Sequence, residues 1–361
     1  LNEVRGMSMI RNSYNIGVHE KTDVLVGSNL LETFDQILRP YAHTGYLLLC
    51  DETTQKLYAN QVTAALSRLG VPVVLFSLPV GEVSKVMESV TKILDTMLVQ
   101  NLDRKSAVIA LGGGVIGDLA TMVSGLYLRG VDCIGVPSTL LAQVDSAFGG
   151  KGGVNQDVYK NMIGLTRQPK LVVVDTSLLQ SLPDTQIRSG YGEIVKYAVS
   201  QDVSLFEKLE KLENNKTDLE STIQTCIDLK MKTVSEDPLD ERGARMVLNF
   251  GHTLAHAVEL TSNLTHGEAV GIGMVFALKV SLALQIVSEE IVNRAYTLIQ
   301  KYELPTTVGG NREEIKKIMK KDKKNQNATT RLVLLADIGK TVIKTDISDT
   351  VIDQVLAEVI I

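Results

Sequence analysis

The chain has 361 residues, 44% hydrophobic and 22% charged, with a formal net charge of -5; this is a globular balance, long enough for two cores, and its sign gives a nucleic-acid partner no support. Tryptophan is absent and aromatics reach only 4%, which argues against a base-stacking surface, and no apolar run approaches the ~20 residues of a membrane span. LNEVRGMSMIRNSY at the N-terminal end carries no secretory pattern, and the scattered Cys50, Cys133 and Cys226, without CxxC spacing, fit reduced thiols of a cytoplasmic protein.

In the first half, short β-branched apolar runs alternate with helical patterns. Residues 45–51 (GYLLLCD), 71–76 (VPVVLF), 106–114 (SAVIALGGG), 131–137 (VDCIGVP) and 170–175 (KLVVVD) read as buried parallel strands. Residues 53–69 and 84–100 repeat apolar side chains at i, i+3 and i+4 and read as helices. The alternation predicts an α/β domain with a Rossmann-like parallel sheet. After about residue 182 the pattern changes, and 204–215, 218–234, 251–260, 267–284 and 288–302 all read as helices. The expected domains are therefore 1–181, α/β, and 182–361, mostly α-helical, divided at SLPDTQ (181–186) with Asp184 as a helix N-cap. The charge run KKIMKKDKKN (316–325) reads as a solvated helix end.

The strand candidate Ala107–Leu111 runs into Gly112, Gly113, Gly114, Val115, Ile116, Gly117 and Asp118, and then a helix. Gly112, Gly114 and Gly117 satisfy GxGxxG in a strand–turn–helix setting, where backbone N–H groups and the helix dipole can receive a pyrophosphate. The loop follows a later strand than the first, and no acid stands about 20 residues on; Asp51, after an earlier strand, is the candidate for the ribose. Residues 136–164 gather Asp145, Lys151, Asn155, Lys160 and Asn161 around glycine pairs. This segment is poor helix and poor strand, so it reads as a loop presenting groups to an anionic, hydroxyl-rich ligand.

Three of the five histidines, His252, His256 and His266, fall in NFGHTLAHAVELTSNLTHGEAV. His252 and His256, at i and i+4, share a helix face, and His266 opens the next helix. HTLAH lacks the glutamate of HExxH, so a zinc-protease reading is poor. Two histidines and one carboxylate with an open position form a recognised catalytic zinc set. Glu193, in SGYGEIVKYA, is the best carboxylate; Glu259 and Glu268 compete with it, and spacing does not say which two histidines bind.

The motifs PVGEVSK, GGGVIGDL, LRGV, VPSTLLAQVDSAFGGKGGVN, KNMIG, SGYGEIVKY, LNFGHTLAHAVE and HGEAVGIGMV, spread from residue 79 toward DKKN at 322–325, resemble the 3-dehydroquinate synthase family of sugar-phosphate cyclases. The resemblance implies an NAD-binding N-terminal domain, an α-helical C-terminal domain, a divalent metal (zinc, or cobalt) and a homodimer. Carried over, the metal ligands are Glu193, His252 and His266. The NAD contacts are Asp51, Glu82, Lys85, Gly114, Val115, Ile116, Gly117, Asp118, Ser138, Thr139, Leu178 and Ser181, with Lys151 and Lys160 at their edge. Substrate phosphate would meet Lys151, Asn161, His256 and a lysine of DKK, Lys323 or Lys324, with Arg129 arriving across the dimer interface. The carboxylate would meet Lys230 and Arg245, with Asn249 and Lys196 nearby and Asp145 in the same polar shell.

The implied reaction converts 3-deoxy-D-arabino-heptulosonate 7-phosphate to 3-dehydroquinate and phosphate: NAD takes a hydride from the C5 alcohol, phosphate is eliminated, the hydride returns, and an aldol closure follows. Alternatives are another cyclase, making a deoxy-inosose or a valiolone, or an alcohol or glycerol dehydrogenase of the same architecture. The chain reads DSAFGGKGGVN where the family commonly has DSSVGGKTGVN, departing at Ala147, Phe148 and Gly152, and has LTRQP for AFYQP; its Lys230–Arg245 segment is also one residue longer. Phe148 and Gly152 are the departures expected to reshape the nucleotide or phosphate edge.

Overall fold

The computed structural model describes residues 3–4, 7–16, 20–157, 159–212, 219–320 and 331–361. The chain forms two compact units. The first runs to Leu182 and takes in Lys230–Leu239; the second comprises Pro183–Leu229 and Asp240–Ile361. The segment 230–239 thus groups with the first half, although in sequence it belongs to the second.

The first unit is built on one sheet. Its strands are β1 (Glu3–Val4), β2 (Met7–Ile16), β3 (Glu20–Gly27), β4 (Tyr46–Asp51), β5 (Val73–Leu78), β6 (Ala107–Gly112), β7 (Asp132–Pro137) and β10 (Leu171–Asp175), in the order β1-β2-β3-β10-β7-β6-β4-β5. From β3 to β5 the neighbours are parallel; β2 pairs antiparallel with β3 and with β1. The five apolar runs are all strands, and β1 to β3 extend the parallel sheet into a mixed one. Side chains alternate across a strand, so each run serves two cores. Tyr46, Leu48 and Cys50 enter a cluster with Phe34, Val62 and Leu66. Leu47 and Leu49 enter another with Val90, Ile93, Leu119 and Val123. Helices on both faces make the sheet doubly wound.

The segment expected to be a loop folds differently. A short turn at Ala142–Ser146 leads into an antiparallel hairpin of β8 (Lys151–Gln156) and β9 (Tyr159–Thr166). Its glycines hid it: a Cβ on Gly164 would lie 2.4 Å from the Gly152 carbonyl oxygen, so the strands meet only where side chains are missing. Nearly every side chain of β9 is exposed, so no apolar alternation marks it.

In the second unit each expected helix is present: Val203–Lys211, the helix Leu219–Glu236 that begins here, His252–Thr261, His266–Ala283 and Glu289–Lys301. The unit opens with Asp184–Gln201, in which Asp184 is the first helical residue and Pro183 holds the cap position without a side-chain cap bond. Asp184 is therefore not the N-cap; the proline's fixed φ already sets the entry to the helix. A hairpin of β11 (Leu332–Asp337) and β12 (Lys340–Lys344) interrupts the helical pattern. Contrary to the reading of apolar runs, the 18-residue helix His266–Ala283 is long and apolar enough to cross a membrane, and 72% of it is buried inside the structure. It packs against Asp184–Gln201, His252–Thr261 and Asp349–Val359, as the central helix of this core.

Candidate metal centre and nucleotide loop

Glu193 lies midway along Asp184–Gln201, and His266 is the first residue of His266–Ala283. Glycines let these two helices touch. A Cβ on Gly192 would lie 2.4 Å from Gly267 Cα, and one on Gly267 would lie 1.9 Å from the Ser189 carbonyl oxygen. The residues adjoining this contact, Glu193 and His266, therefore meet: Glu193 Oε1 is 3.1 Å from His266 Nε2 and 3.4 Å from His252 Nε2. One donor atom from each of the three lies within 4.8 Å of the others. His256, one turn beyond His252, stacks edge-on against it at 5.5 Å between ring centroids and is not in the triad.

Each member of the triad has a second partner. His252 Nδ1 lies 3.2 Å from the Phe250 carbonyl oxygen, and His266 Nδ1 lies 3.2 Å from Glu259 Oε2. The Lys196 ammonium sits against Glu193 Oε2 as an ion pair, but that fully buried oxygen accepts no well-directed hydrogen bond. A buried carboxylate with one oxygen against two imidazoles and bonding capacity left on the other is a donor set that fits a divalent cation. Burial opposes charge on Glu193, yet Lys196 and the imidazoles hold it well below the usual carboxylate range. Burial pushes His252 down to about 4. It opposes the charge on His266 too, but Glu193 and Glu259 outweigh it and raise that imidazole to about 10.

The competing carboxylates are otherwise engaged. Glu268 Oε2 accepts from Thr265 N at 2.9 Å and Thr265 Oγ1 at 2.8 Å as a capping box, and Arg188 Nε donates to its other oxygen at 3.1 Å. The spacing Thr265-x-x-Glu268 is itself a capping signature, so the sequence could have removed Glu268 from contention. Glu259 faces the opposite edge of His266 from Glu193. Also in this unit, Arg245 is buried in the turn Ala244–Asn249, which ends at Asn249.

In the first unit, Gly112 ends β6 and the helix Gly114–Leu126 follows Gly113, so Gly114 to Asp118 form its first turns with their N–H groups at the dipole's positive end. A Cβ on Gly117 would meet nothing within 4 Å, so this face of the turn is open. Lys85, buried, pairs with Asp118, whose pKa burial raises against the pull of Lys85. Ser138 N donates to the Gly112 carbonyl at 3.0 Å, and Gly113 packs on Thr139. Asn155, which carried no assigned role, accepts from Asn161 N at 3.0 Å and donates to Glu82 Oε2 at 2.7 Å, tying the hairpin to the Glu82–Lys85 turn. Asp51 caps its own following turn, accepting from Thr53 N and Thr54 N at 2.9 and 2.8 Å. Tyr58 Oη donates to the Leu178 carbonyl at 3.0 Å and contacts Ser181 Oγ.

Lys230 Nζ lies 2.8 Å from Asp145 Oδ1. Lys151, Lys160 and Asn161 stand exposed on the hairpin. Arg129 is also exposed, at φ 67 after Leu128 at φ 49, two successive left-handed residues without glycine's freedom. Lys323 and Lys324 lie outside the described residues. The departure at Gly152 has a steric reason: a Cβ there would lie 2.5 Å from Thr121 Cβ, so Thr121 occupies the space that the family's threonine would need.

Comparison with known proteins gives this geometry a family. Residues 75–189 match the N-terminal and residues 190–325 the C-terminal family description of 3-dehydroquinate synthase. The chain belongs to the 3-dehydroquinate synthase family. The 3-dehydroquinate synthase of Desulforamulus reducens is 40% identical over 322 residues, covering 86% of this chain and 89% of its own. Membership makes the chain an enzyme, a cyclase that eliminates phosphate. The fold is shared more widely. A 2-deoxy-scyllo-inosose synthase solved with carbaglucose-6-phosphate, NAD+ and Co2+ superposes with a TM-score of 0.85 at 24% identity, covering 97% of this chain and all of that one. A 2-epi-5-epi-valiolone synthase from Streptomyces hygroscopicus subsp. jinggangensis, solved with NAD+ and Zn2+, gives 0.85 at 25% identity over 96% of this chain and 99% of its own.

Proposed function

We propose that the residues divide the work of the 3-dehydroquinate synthase reaction as follows. Glu193, His252 and His266 hold a divalent cation, zinc or cobalt; the turn Gly114–Asp118, with Asp51, Glu82, Lys85, Ser138, Thr139, Leu178 and Ser181, holds NAD. When bound, the nucleotide supplies a reversible hydride acceptor and the cation a Lewis acid for the substrate's alcohol oxygen. Lys151, Asn161, His256 and Arg129 receive the phosphate of 3-deoxy-D-arabino-heptulosonate 7-phosphate, with Lys160 beside them and Lys324 as a further contact. Cations crowded there stabilise the phosphate as it leaves. Arg245 and Lys230 clamp the carboxylate, assisted by Asn249; a guanidinium fork suits a planar carboxylate. Asp145 accepts a hydrogen bond from the Lys230 ammonium at 2.8 Å and holds that side chain in place. Lys196 offsets the charge of Glu193.

The observation that carries this reading is the convergence of one carboxylate and two imidazoles in a buried cluster of a chain with this family membership. The carboxylate clamp separates it from the inosose and valiolone synthases, whose substrates need none, and the higher identity to 3-dehydroquinate synthases agrees. A homodimer supports the role of the exposed Arg129, and three buried cysteines suit the reducing cytoplasm. The test is to incubate metal-loaded protein with NAD+ and the heptulosonate phosphate and follow phosphate and dehydroquinate. Both should appear with no net NADH. Accumulating NADH would mark a dehydrogenase, and turnover of a carboxylate-free sugar phosphate would mark another cyclase.

A further inference from the structure

We propose that Glu259 is the positioning residue of the metal centre: it holds the His266 ring by its far edge and so directs Nε2 at the cation. The inference rests on the reading of Glu193, His252 and His266 as a divalent-cation site. His266 is bridged between two carboxylates, Glu259 Oε2 at 3.2 Å from Nδ1 and Glu193 Oε1 at 3.1 Å from Nε2. A carboxylate accepts and never donates when ionised, so Glu259 holds the Nδ1 edge as donor and turns Nε2 toward Glu193, where a cation would take the place of the Nε2 proton.

The two imidazoles of the triad need this help unequally. The His252 side chain is 12% exposed, with Nδ1 against the neutral Phe250 carbonyl two residues earlier in the chain. The His266 side chain is 27% exposed and begins its helix, so less packing restrains the ring. Glu259 comes from a different helix, His252–Thr261, two turns after His252 and on the same face. One helix therefore supplies a ligand and the group that orients the ligand from its neighbour. An anionic partner also makes the imidazole a stronger donor than a carbonyl partner does, as in other carboxylate–histidine–metal arrangements.

The test is cobalt binding to the metal-free protein, with the dissociation constant taken from chelator competition and the coordination geometry from the visible absorption of bound Co2+. Glu259→Ala should weaken binding about 10- to 100-fold and alter the absorption band. Glu259→Gln keeps an acceptor but loses the charge; it should weaken binding on the order of threefold to tenfold with a band like wild type. A residue that only supports the fold would lower the melting temperature and leave the dissociation constant alone. Should the alanine variant fail to fold, the glutamine variant decides. Wild-type affinity in a folded variant removes Glu259 from the role while the metal site stands. No cobalt binding by the wild-type protein would instead overturn the site itself and this inference with it.

Discussion

The two units build their polar groups in opposite ways. In the helical unit the cluster of Glu193, His252 and His266 is anchored on a fully buried carboxylate, with both imidazoles partly buried and each member tied to a further partner. In the α/β unit, Lys151, Lys160, Asn161 and Arg129 stand exposed on a hairpin and a turn. The contrast teaches where each kind of chemistry can live. A cation site needs donors preset before the cation arrives, because its strength comes from fixed geometry in a dry place. A site for a phosphorylated sugar needs cations that substrate can reach, and their solvation is part of that access.

The largest expected effect breaks the enclosed side. Glu193→Ala or His266→Ala should abolish tight metal binding and cut turnover by more than the ~100-fold that loss of an outer partner costs; normal metal content by elemental analysis would reject the ligand assignment. Next comes the helix contact beneath the triad. Gly267→Ala drives a methyl to 1.9 Å from a backbone oxygen, and should lower stability by at least the ~1–3 kcal/mol of ordinary overpacking, read from denaturant melts. Gly117→Ala, by contrast, meets nothing and should keep or slightly raise stability in a helix, while weakening NAD binding in a fluorescence titration.

A third test concerns protons. The metal-free site keeps His266 protonated through neutral pH, because its pKa stands near 10 rather than 6.5. Cation and proton compete for Nε2, so metal affinity should climb about tenfold per pH unit between 7 and 9. A flat profile by chelator competition would mean the proton is not held there. The smallest effect sharpens the α/β side. Gly152→Thr should destabilise by about 1–3 kcal/mol, and adding Thr121→Gly should recover part of it, since the two side chains claim one space while the Asp118 carbonyl oxygen stays 2.9 Å from the new Cβ. Additive losses in the double variant would show that they do not.

The strands and helices whose burial is one-sided or complete were legible from the chain, because apolar runs and 3.6-residue spacing report burial directly. The hairpin β8–β9 was not, since its pairing depends on glycines and its β9 face is solvent-exposed. Nor were β1 to β3 or β11 and β12, whose residues could have fitted loop or helix until a neighbour claimed them. At the candidate metal centre the sequence supplied histidines and carboxylates, the resemblance narrowed them to three, and the structure brings those three together. What it could not supply was which edge of His266 each glutamate faces, because that depends on the depth to which two helices approach through Gly192 and Gly267.

The ion pair of Lys196 with Glu193 has a consequence for how the protein lives without its metal. An internal ammonium already balances the ligand carboxylate, so an empty centre does not leave a lone anion in the interior to force the helices apart. The polypeptide is therefore expected to fold before any cation binds. Stripping the ion should silence the enzyme while leaving its melting curve cooperative, and returning zinc or cobalt should restore it without refolding.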